Sequence, residues 1–453
     1  MKHVHFMGIG GVGISALAYI LHREGWQVSG CDAQPSALAQ RLAELGVEVH
    51  AGHSPEHVHA ADLLVASNAV PPDHPELVAA REHGVPQRAR MQILAEILAR
   101  GRAIGVSGTH GKTTTTSMIA HVFIELGQDP VVLVGAAVPT LGGNARWGEG
   151  RHRIAEVDES DPLFADVAVD LAVLTNLEDD HVAGGGERRQ TYHADYASLR
   201  EATRRYAERS GRVLYNADWD ELETLTQGLA REGYGFNRGR FRAEAVELDG
   251  TSSRFVFRVD GRAVAKVRLA VPGRHNVENA LAALAAAYLE GLDPEAAAAA
   301  LASFEGAARR FQTTGHYRGA WVVDDYAHHP TEVAATLKAA RATGRRVRVV
   351  FQPHRYLRTR QMWPRFAEAL MEADEVWVLD VFAASEPPIP GVHGGLIAER
   401  LRELGHPRAR HAAWNEVLRE LRASAGEGDL ILTMGAGNVW RLGRELVEGE
   451  REG

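Results

Sequence analysis

The stretch AIGVSGTHGKTTTTSMIAHVFIELG, residues 103–127, reads as a short apolar strand, a glycine-rich turn and a helix. Its centre, Gly105-Val106-Ser107-Gly108-Thr109-His110-Gly111-Lys112-Thr113-Thr114, contains GTHGKTT, a shortened relative of GxxxxGK[ST]. Glycines at 108 and 111 let the main chain fold tightly, so that successive N–H groups point at one anion. The helix opening at Lys112 adds its positive end. Lys112 brings a mobile point charge for β- and γ-phosphates, and Thr113 a hydroxyl for a hard cation such as Mg²⁺. Gly108, Thr109, His110, Gly111, Lys112, Thr113 and Thr114 are therefore the candidate ATP-binding loop. A kinase, a hydrolase and a ligase all use such a loop, so it does not name the phosphate acceptor.

Working outward, the same strand–turn–helix unit recurs. Upstream lie HVHFMGIGGVGISALAYILHREG (3–25), a strand ending at Asp32, and DLLVASNAV (62–70) with a helix after Pro75. Downstream, strands are expected at 130–134, 153–157 and 171–175. Alternating β structure follows at 255–271, then alanine-rich helices at 277–290 and 294–301. Four more strands are expected at 321–327, 346–353, 375–382 and 429–437. Strands alternating with helices imply parallel sheets covered on their faces. A chain of 453 residues, at about 150 per domain, suggests three domains. The expected boundaries are 1–100, 101–310 and 311–453, with linkers near 88–104 and 306–313.

Composition narrows the function. Hydrophobic residues make up 45% and charged residues 24%, an ordinary globular balance, and the net charge is −9. Such a surface has no general pull toward nucleic acid or an anionic membrane. Cys31 is the one cysteine, so no intrachain disulfide forms and a reducing cytoplasm is the expected compartment. As a small buried residue at a strand end it is better explained than as a catalytic thiol. No apolar run reaches bilayer-spanning length, and the N-terminus lacks the apolar core of a signal peptide.

Other clusters lie at expected strand ends, where α/β proteins hold ligands. Glu156, Asp158, Glu159, Ser160 and Asp161 crowd one turn; carboxylates beside phosphates call for a metal between them, so Mg²⁺ is the better reading of Glu156 than a solvated acid. His181 closes the second turn, TNLEDDH. Asn276 and Asn279 can present donor and acceptor to an adenine edge, although Asn276 also suits a helix cap. A linker arginine, Arg310 more than Arg309, can stabilise charge on a transferring phosphate. His354, Arg355 and Arg358 form a cationic fork suited to a carboxylate. Adjacent histidines 328 and 329 point different ways along a chain, which argues against a shared metal. GIGGVG at 8–13, with Asp32 about 20 residues on, looks like a dinucleotide fingerprint; a complete ATP loop argues against an oxidoreductase.

Taken in order, GIGGVGISALA, GTHGKTTTT, EVDESD, TNLEDDH, PGRHNVENALAA, RRF, DDYAHHPTEV, FQPHRYLRTR and GAGN resemble the Mur ligases of peptidoglycan synthesis, and within them the branch that adds L-alanine. The resemblance spans nearly the whole chain. It implies an α/β protein of three domains: an N-terminal Rossmann-like domain for UDP-N-acetylmuramate, a central P-loop-like ATPase, and a C-terminal Rossmann-like domain for the amino acid. The implied reaction joins L-alanine to the lactyl carboxylate of the UDP-sugar through an acyl phosphate. ATP and Mg²⁺ are then required. UDP-sugar contacts are implied for Gly10, Gly11, Gly13, Ser15, Asp32, Ser67, Asn68, Ala69, Arg88, Glu159 and Ser160. ATP contacts extend to His275, Asn276, Asn279, Arg310 and Asp325; metal ligation falls to Thr113, Glu156 and His181; L-alanine falls to Tyr326, His328, His354, Arg355 and Arg358. Lys112, Arg310 and His328 are the implied catalytic groups, His328 as the amine's proton acceptor. Partners are small molecules only, with neither nucleic acid nor membrane, and the protein is expected as a monomer or weak homodimer.

Several members carry a carbamylated lysine after the histidine of the second turn. No lysine lies between Lys112 and Lys266, so none is expected, which favours the alanine-adding branch. The residues after His181, VAGGGERRQTYH, depart from the family's usual DH-D pattern. Two alternatives remain. A recycling ligase attaching an intact tripeptide to the same UDP-sugar tends to carry tyrosine where this chain has Ser160. A regulatory nucleotide-binding protein with a dead site would not need Lys112, Thr113, Glu156 and His181 together.

Overall fold

The computed structural model describes residues 2–67, 70–180, 193–384 and 386–449. It contains three sheets, consecutive along the chain. The first comprises β1 (His3–Met7), β2 (Gln27–Asp32), β3 (Glu48–Ala51), β4 (Leu63–Ala66) and β5 (Gln87–Ala89), in the order β3-β2-β1-β4-β5. All its pairings are parallel. Chain reversal at β1 opens a crevice at the carboxyl ends of β1 and β4, where the GIGGVG turn lies.

The second sheet comprises β6 (Arg102–Ser107), β7 (Val131–Val138), β8 (Gly143–Arg146), β9 (His152–Glu156), β10 (Leu171–Leu174), β11 (Arg212–Asn216), β12 (Arg231–Gly235), β13 (Phe241–Leu248), β14 (Ser253–Val259) and β15 (Arg262–Leu269). Its order is β15-β14-β13-β12-β11-β10-β6-β9-β7-β8. β6 pairs in parallel with both β9 and β10. The turns after these three strands therefore open side by side, although they are far apart in sequence.

The third sheet comprises β16 (Gln312–Tyr317), β17 (Ala320–Asp325), β18 (Arg346–Phe351), β19 (Glu375–Val378), β20 (Ala409–His411) and β21 (Asp429–Met434), in the order β16-β17-β21-β18-β19-β20. β16 runs antiparallel to β17 and the other pairs are parallel. β21 is buried at every position and β18 at all but its first, as strands covered on both faces must be.

The chain forms two compact units. One takes in the chain up to Glu244 with Val256–Lys266 and Glu278–Leu301; the other takes in Ala245–Phe255, Val267–Val277 and everything from Ala302. The first two sheets share a unit because one core runs through both. Ile14, Leu17 and Leu21 of the helix Val12–Arg23 belong to the same buried cluster as Leu133 and Ala145 of the second sheet.

Three sequence expectations are corrected. Residues 88–104 are not a linker: the helix Arg90–Leu98 occupies most of them, burying Met91, Ile93, Leu94, Ile97 and Leu98. Its apolar spacing already follows the helical period. The third sheet has two further strands, β16 and β20, both at its edges. The alanine-rich helix starts at Arg274, earlier than Val277. Among the described residues no helix is long and apolar enough to cross a membrane.

Candidate active site

The glycine turn after β6 ends at the helix Lys112–Glu125, with Gly111 as N-cap in the left-handed region (φ 80°) and no side chain capping the helix. The first-turn amides thus lack a side-chain acceptor, as an anion site requires. Gly108 has φ 130°, and a Cβ there would stand 2.2 Å from Thr175 Oγ1 and 2.7 Å from the Asn176 carbonyl oxygen. Only glycine lets the loop press against the turn after β10. That turn clamps it in return. Asn176 Oδ1 accepts the His110 N–H at 2.8 Å, and Asn176 Nδ2 and Thr175 Oγ1 donate to the His110 carbonyl at 3.0 and 2.6 Å. His110 Nε2 lies 3.1 Å from Glu178, whose own N–H reaches Thr109 Oγ1 at 2.8 Å.

Lys112 Nζ donates to the carbonyls of Gly108 (2.7 Å) and Thr109 (3.0 Å) and lies 2.7 Å from Glu159 Oε2. Burial alone would lower its pKa. The carboxylates of Glu159, Asp158 and Glu156 outweigh burial and raise its pKa, so the ammonium stays charged inside the loop. Glu159 is 1% exposed, and burial pushes its carboxyl up to about 7 despite the lysine. Glu156, at the end of β9, accepts the Thr113 hydroxyl at 2.8 Å and the Gly135 N–H at 2.9 Å through Oε2. The loop and the acidic turn are therefore one site.

A cavity of about 200 Å³ adjoins it, lined among others by Gly13, Arg90, Gly135, Glu156 and Asp158. It lies within the first unit, between the GIGGVG turn and the metal-binding candidates. Its arginine is Arg90, at the start of the helix Arg90–Leu98. Arg90 is held 2.9 Å from Asp158 Oδ2 and 3.3 Å from Asp161 Oδ2.

The phosphate loop is bonded to the acidic turn through Glu156, and that turn shares a cavity with Gly13 of the second nucleotide-type turn. Residues 3–102 match the model for the Mur ligase family, catalytic domain; 106–287 match the Mur ligase middle domain; 309–437 match the Mur ligase glutamate ligase domain. The UDP-N-acetylmuramate–L-alanine ligase of Deinococcus radiodurans is 51% identical, over 99% of this chain and 94% of its own. This chain belongs to the Mur ligase family. The ligase of the same name from Gloeobacter violaceus is 43% identical over 98% of this chain and 95% of its own. Among solved structures, UDP-N-acetylmuramate–alanine ligase MurC from Thermotoga maritima superposes with a TM-score of 0.85 at 30% identity, covering 100% of both chains. A murein peptide ligase from Psychrobacter arcticus shares the fold (TM-score 0.71, 24% identity, 99% of this chain and 98% of its own).

Within this Mur ligase the remaining expected residues fall into groups. In the GIGGVG turn, Asp32 accepts the Gly10 N–H at 3.0 Å and Ser36 donates to the Gly10 carbonyl at 2.7 Å. Gly11 caps the helix Val12–Arg23. Ser15 is buried and receives the Asn144 amide at 2.9 Å, so its hydroxyl is turned to the protein interior. Ser67 follows β4, beside Gly8. Arg88 is exposed on β5 and lines none of the described cavity, whereas Arg90 does. Glu159 lies 2.7 Å from Lys112, and the Ser160 N–H bonds Asp158 Oδ1 at 3.2 Å. Asn279 Oδ1 accepts the Thr115 hydroxyl at 3.1 Å and packs on Gly111. Thr114 is buried in the first turn of the loop helix. Asn68, Ala69 and His181 lie outside the described residues.

In the second unit, Asn276 donates to the Pro272 carbonyl at 2.7 Å from inside the helix, which sets aside a capping role. His275 is kept neutral, its pKa lowered to about 4 by burial and then by Arg310. Asp325 accepts the N–H groups of Phe311 (2.7 Å) and Ala327 (2.8 Å), one on each carboxyl oxygen; burial pushes it up to about 6. The neighbouring arginines divide. Arg309 is locked to Asp324 (2.8 Å) and to the carbonyls of Gly435 (2.6 Å) and Gly437 (3.1 Å), while Arg310 lies 5.3 Å over the Tyr326 ring. Tyr326, His328 and His354 form a ring cluster, with centroids 5.2 and 6.1 Å apart. Arg355 (φ 69°) opens the helix Tyr356–Leu370, and Arg358 is 7% exposed within it.

Sequence reasoning passed over Arg90, Asn144, Thr175 and Asn176. The signal for Asn176 was present: it shares TNLEDDH with His181. Arg90 carried no motif, because its role arises from packing against residues 158–161.

Proposed function

We infer that this Mur ligase joins L-alanine to the lactyl carboxylate of UDP-N-acetylmuramate, converting ATP to ADP and phosphate, as a step of peptidoglycan precursor synthesis. The observation that carries the reading is end-to-end identity of 51% with a ligase named for that reaction. The geometry supports it. Main-chain amides at the head of the helix Lys112–Glu125 bind the triphosphate, and Lys112 neutralises its β- and γ-oxygens. The cavity lined by Gly13, Arg90 and Asp158 takes the UDP-sugar, with the pyrophosphate on the turn at Gly10, Gly11 and Gly13. Because Glu156 lines both cavity and loop, a carboxylate seated in the cavity reaches the terminal phosphorus. It attacks in line as the bond to the β-phosphate breaks and ADP leaves; the amine of L-alanine then attacks the acyl carbon of the resulting acyl phosphate, losing a proton and expelling phosphate, so no protein nucleophile is consumed.

Thr113 Oγ1 and Glu156 Oε2 stand 2.8 Å apart, close to the edge, about 3.0 Å, of an oxygen octahedron with bonds of about 2.1 Å. They fit Mg²⁺, which when bound spreads the charge of the transferring phosphoryl group. L-Alanine is assigned to Tyr326, His328, His354, Arg355 and Arg358, its carboxylate on the arginines. His328 presents Nδ1 to the Tyr326 carbonyl (3.1 Å) and to Glu332 (3.2 Å). With Nδ1–H so directed, Nε2 carries the lone pair that receives the amine's proton. Adenine recognition is assigned to His275, Asn276 and Asn279, and the cytoplasm is the compartment where the nucleotide substrates are met.

The test is phosphate release with ATP and UDP-N-acetylmuramate while the amine is varied. Release that saturates with L-alanine is expected. Release independent of the amine, or a preference for L-alanyl-γ-D-glutamyl-meso-diaminopimelate, would overturn the assignment.

A further inference from the structure

Away from the loop and its cavity, the first sheet buries a cluster that the ligase reaction does not use. His5 lies on β1, Cys31 near the end of β2, His57 in the single turn Pro55–Val58, and Glu76 in the first turn of the helix Pro75–Glu82. One nitrogen, sulfur or oxygen from each lies within 4.8 Å of those from the other three. We propose that these four side chains form a structural zinc site.

The contacts already approach such a site. Cys31 Sγ is 3.2 Å from Glu76 Oε2, and His57 Nδ1 is 2.9 Å from Glu76 Oε1. Tetrahedral zinc with bonds of about 2.0–2.3 Å places its ligands about 3.3–3.8 Å apart. The widest pair, within 4.8 Å, would have to close by about 1 Å to enter that range. His5, Cys31 and Glu76 are fully buried, at 0% exposure, beside the apolar side chains of Met7, Val58, Leu64 and Leu77.

His5 supplies an independent pointer. Its Nδ1 is 2.8 Å from Ser29 Oγ, which also meets His3 Nε2 at 2.8 Å. Its Nε2 is buried with no hydrogen-bond partner. A buried polar atom left unmatched is costly and rare. An imidazole fixed through one nitrogen, with the other bare, is how metal-binding histidines are oriented by an outer partner. Burial also keeps His5 neutral, with a pKa of about 4, as a ligand must be.

The donor set selects the metal. Sulfur and imidazole exclude Mg²⁺ and Ca²⁺ and suit zinc. Charge balances as well: a thiolate and a carboxylate neutralise Zn²⁺, and two neutral imidazoles complete it. A site so dry cannot hold net charge cheaply. Without metal, burial and the neighbouring Glu76 both push the Cys31 thiol up; zinc removes that opposition by taking the thiol's proton place. All four positions come from protein, the mark of a structural site. Binding would tie two strands, a turn and a helix start in a sheet whose outer strands are only three or four residues long.

The experiment uses the full-length, tag-free protein, stripped with chelator and titrated with Co²⁺. One equivalent should produce a near-ultraviolet thiolate-to-cobalt band with intense visible bands of tetrahedral cobalt, and Zn²⁺ should displace both. Cys31 is the only cysteine in the chain, so the wild-type spectrum decides the question even if variants fold poorly. Cys31→Ser should lose the near-ultraviolet band, and Glu76→Gln should weaken Co²⁺ binding at least tenfold. Absence of the band at one equivalent, or a spectrum unchanged by Cys31→Ser, would overturn the proposal.

Discussion

Lys112 and Glu159 stand 2.7 Å apart, the carboxylate fully buried and the lysine side chain 12% exposed. Removing one partner of such a pair leaves an uncompensated buried charge, which typically costs about 3 kcal/mol. For Lys112→Met the sign with pH is definite. Glu159 already titrates above an ordinary glutamate, at about 7, because it is buried. Without the lysine it rises further, so the folded state holds the proton more tightly than the unfolded chain. The variant should be near wild-type stability below pH 5 and lose stability as pH rises toward 8, as read by urea melts. Adding Glu159→Gln should remove that slope without restoring activity, since the phosphate charge is still unmet; kcat should stay down by at least about 10²-fold. The two arginines at the cavity give a second residue-scale prediction. Arg88 is exposed, whereas Arg90 lines the cavity and pairs with Asp158 and Asp161. Arg90→Ala should raise KM for UDP-N-acetylmuramate by about tenfold or more, a loss of about 1.4 kcal/mol or more. Arg88→Ala should change it less than twofold.

At the scale of elements, the position of β6 decides the site. Flanked by β9 and β10, it brings the phosphate loop, Glu156 and Asn176 together at adjacent strand ends. An ion cluster ties the opposite end of β6. Arg102, its first residue, meets Glu290 at 2.9 Å and Asp170 at 2.9 Å, and buried His152 of β9 lies 3.4 Å from Glu290. Burial alone would raise the Glu290 pKa, but the bonds from His152 and Arg102 win and hold it at about 2. Its contribution is present above pH 4.5 and lost as pH falls through about 2. Glu290→Gln should therefore cost on the order of 1–2 kcal/mol at pH 7, after discounting the half-exposed arginine, and the cost should fade as pH falls through about 2. Acid titration followed by circular dichroism reads the difference. The elements themselves were mostly legible from strand–turn–helix spacing. Those misread had weak local signals: β20 spans three residues, and β16 is an antiparallel edge strand with polar residues at most positions. The helix Arg90–Leu98 was misread because a domain boundary was expected there.

At the scale of the whole molecule, each compact unit has its own core, so heating should resolve more than one transition. Arg309 belongs to the second unit, where it holds Asp324 and the carbonyls of Gly435 and Gly437. Arg309→Ala leaves Asp324 buried without its cation. It should lower one calorimetric transition by about 2–4 kcal/mol and leave the other within about 0.5 kcal/mol. Legibility at this scale was uneven for a physical reason. The sequence alone determined the α/β class, the phosphate loop with Lys112 and Thr113, and the order of the family's motifs. Each of these depends on turn chemistry and periodicity written within a few consecutive residues. Only the tertiary structure decided that Arg90 rather than Arg88 lines the cavity, that Glu159 serves Lys112, that Asp325 holds backbone, and that His5, Cys31, His57 and Glu76 converge. Those outcomes depend on strand order and helix packing, which bring together residues as far apart in the chain as Gly13 and Asp158, and no local spacing encodes such meetings.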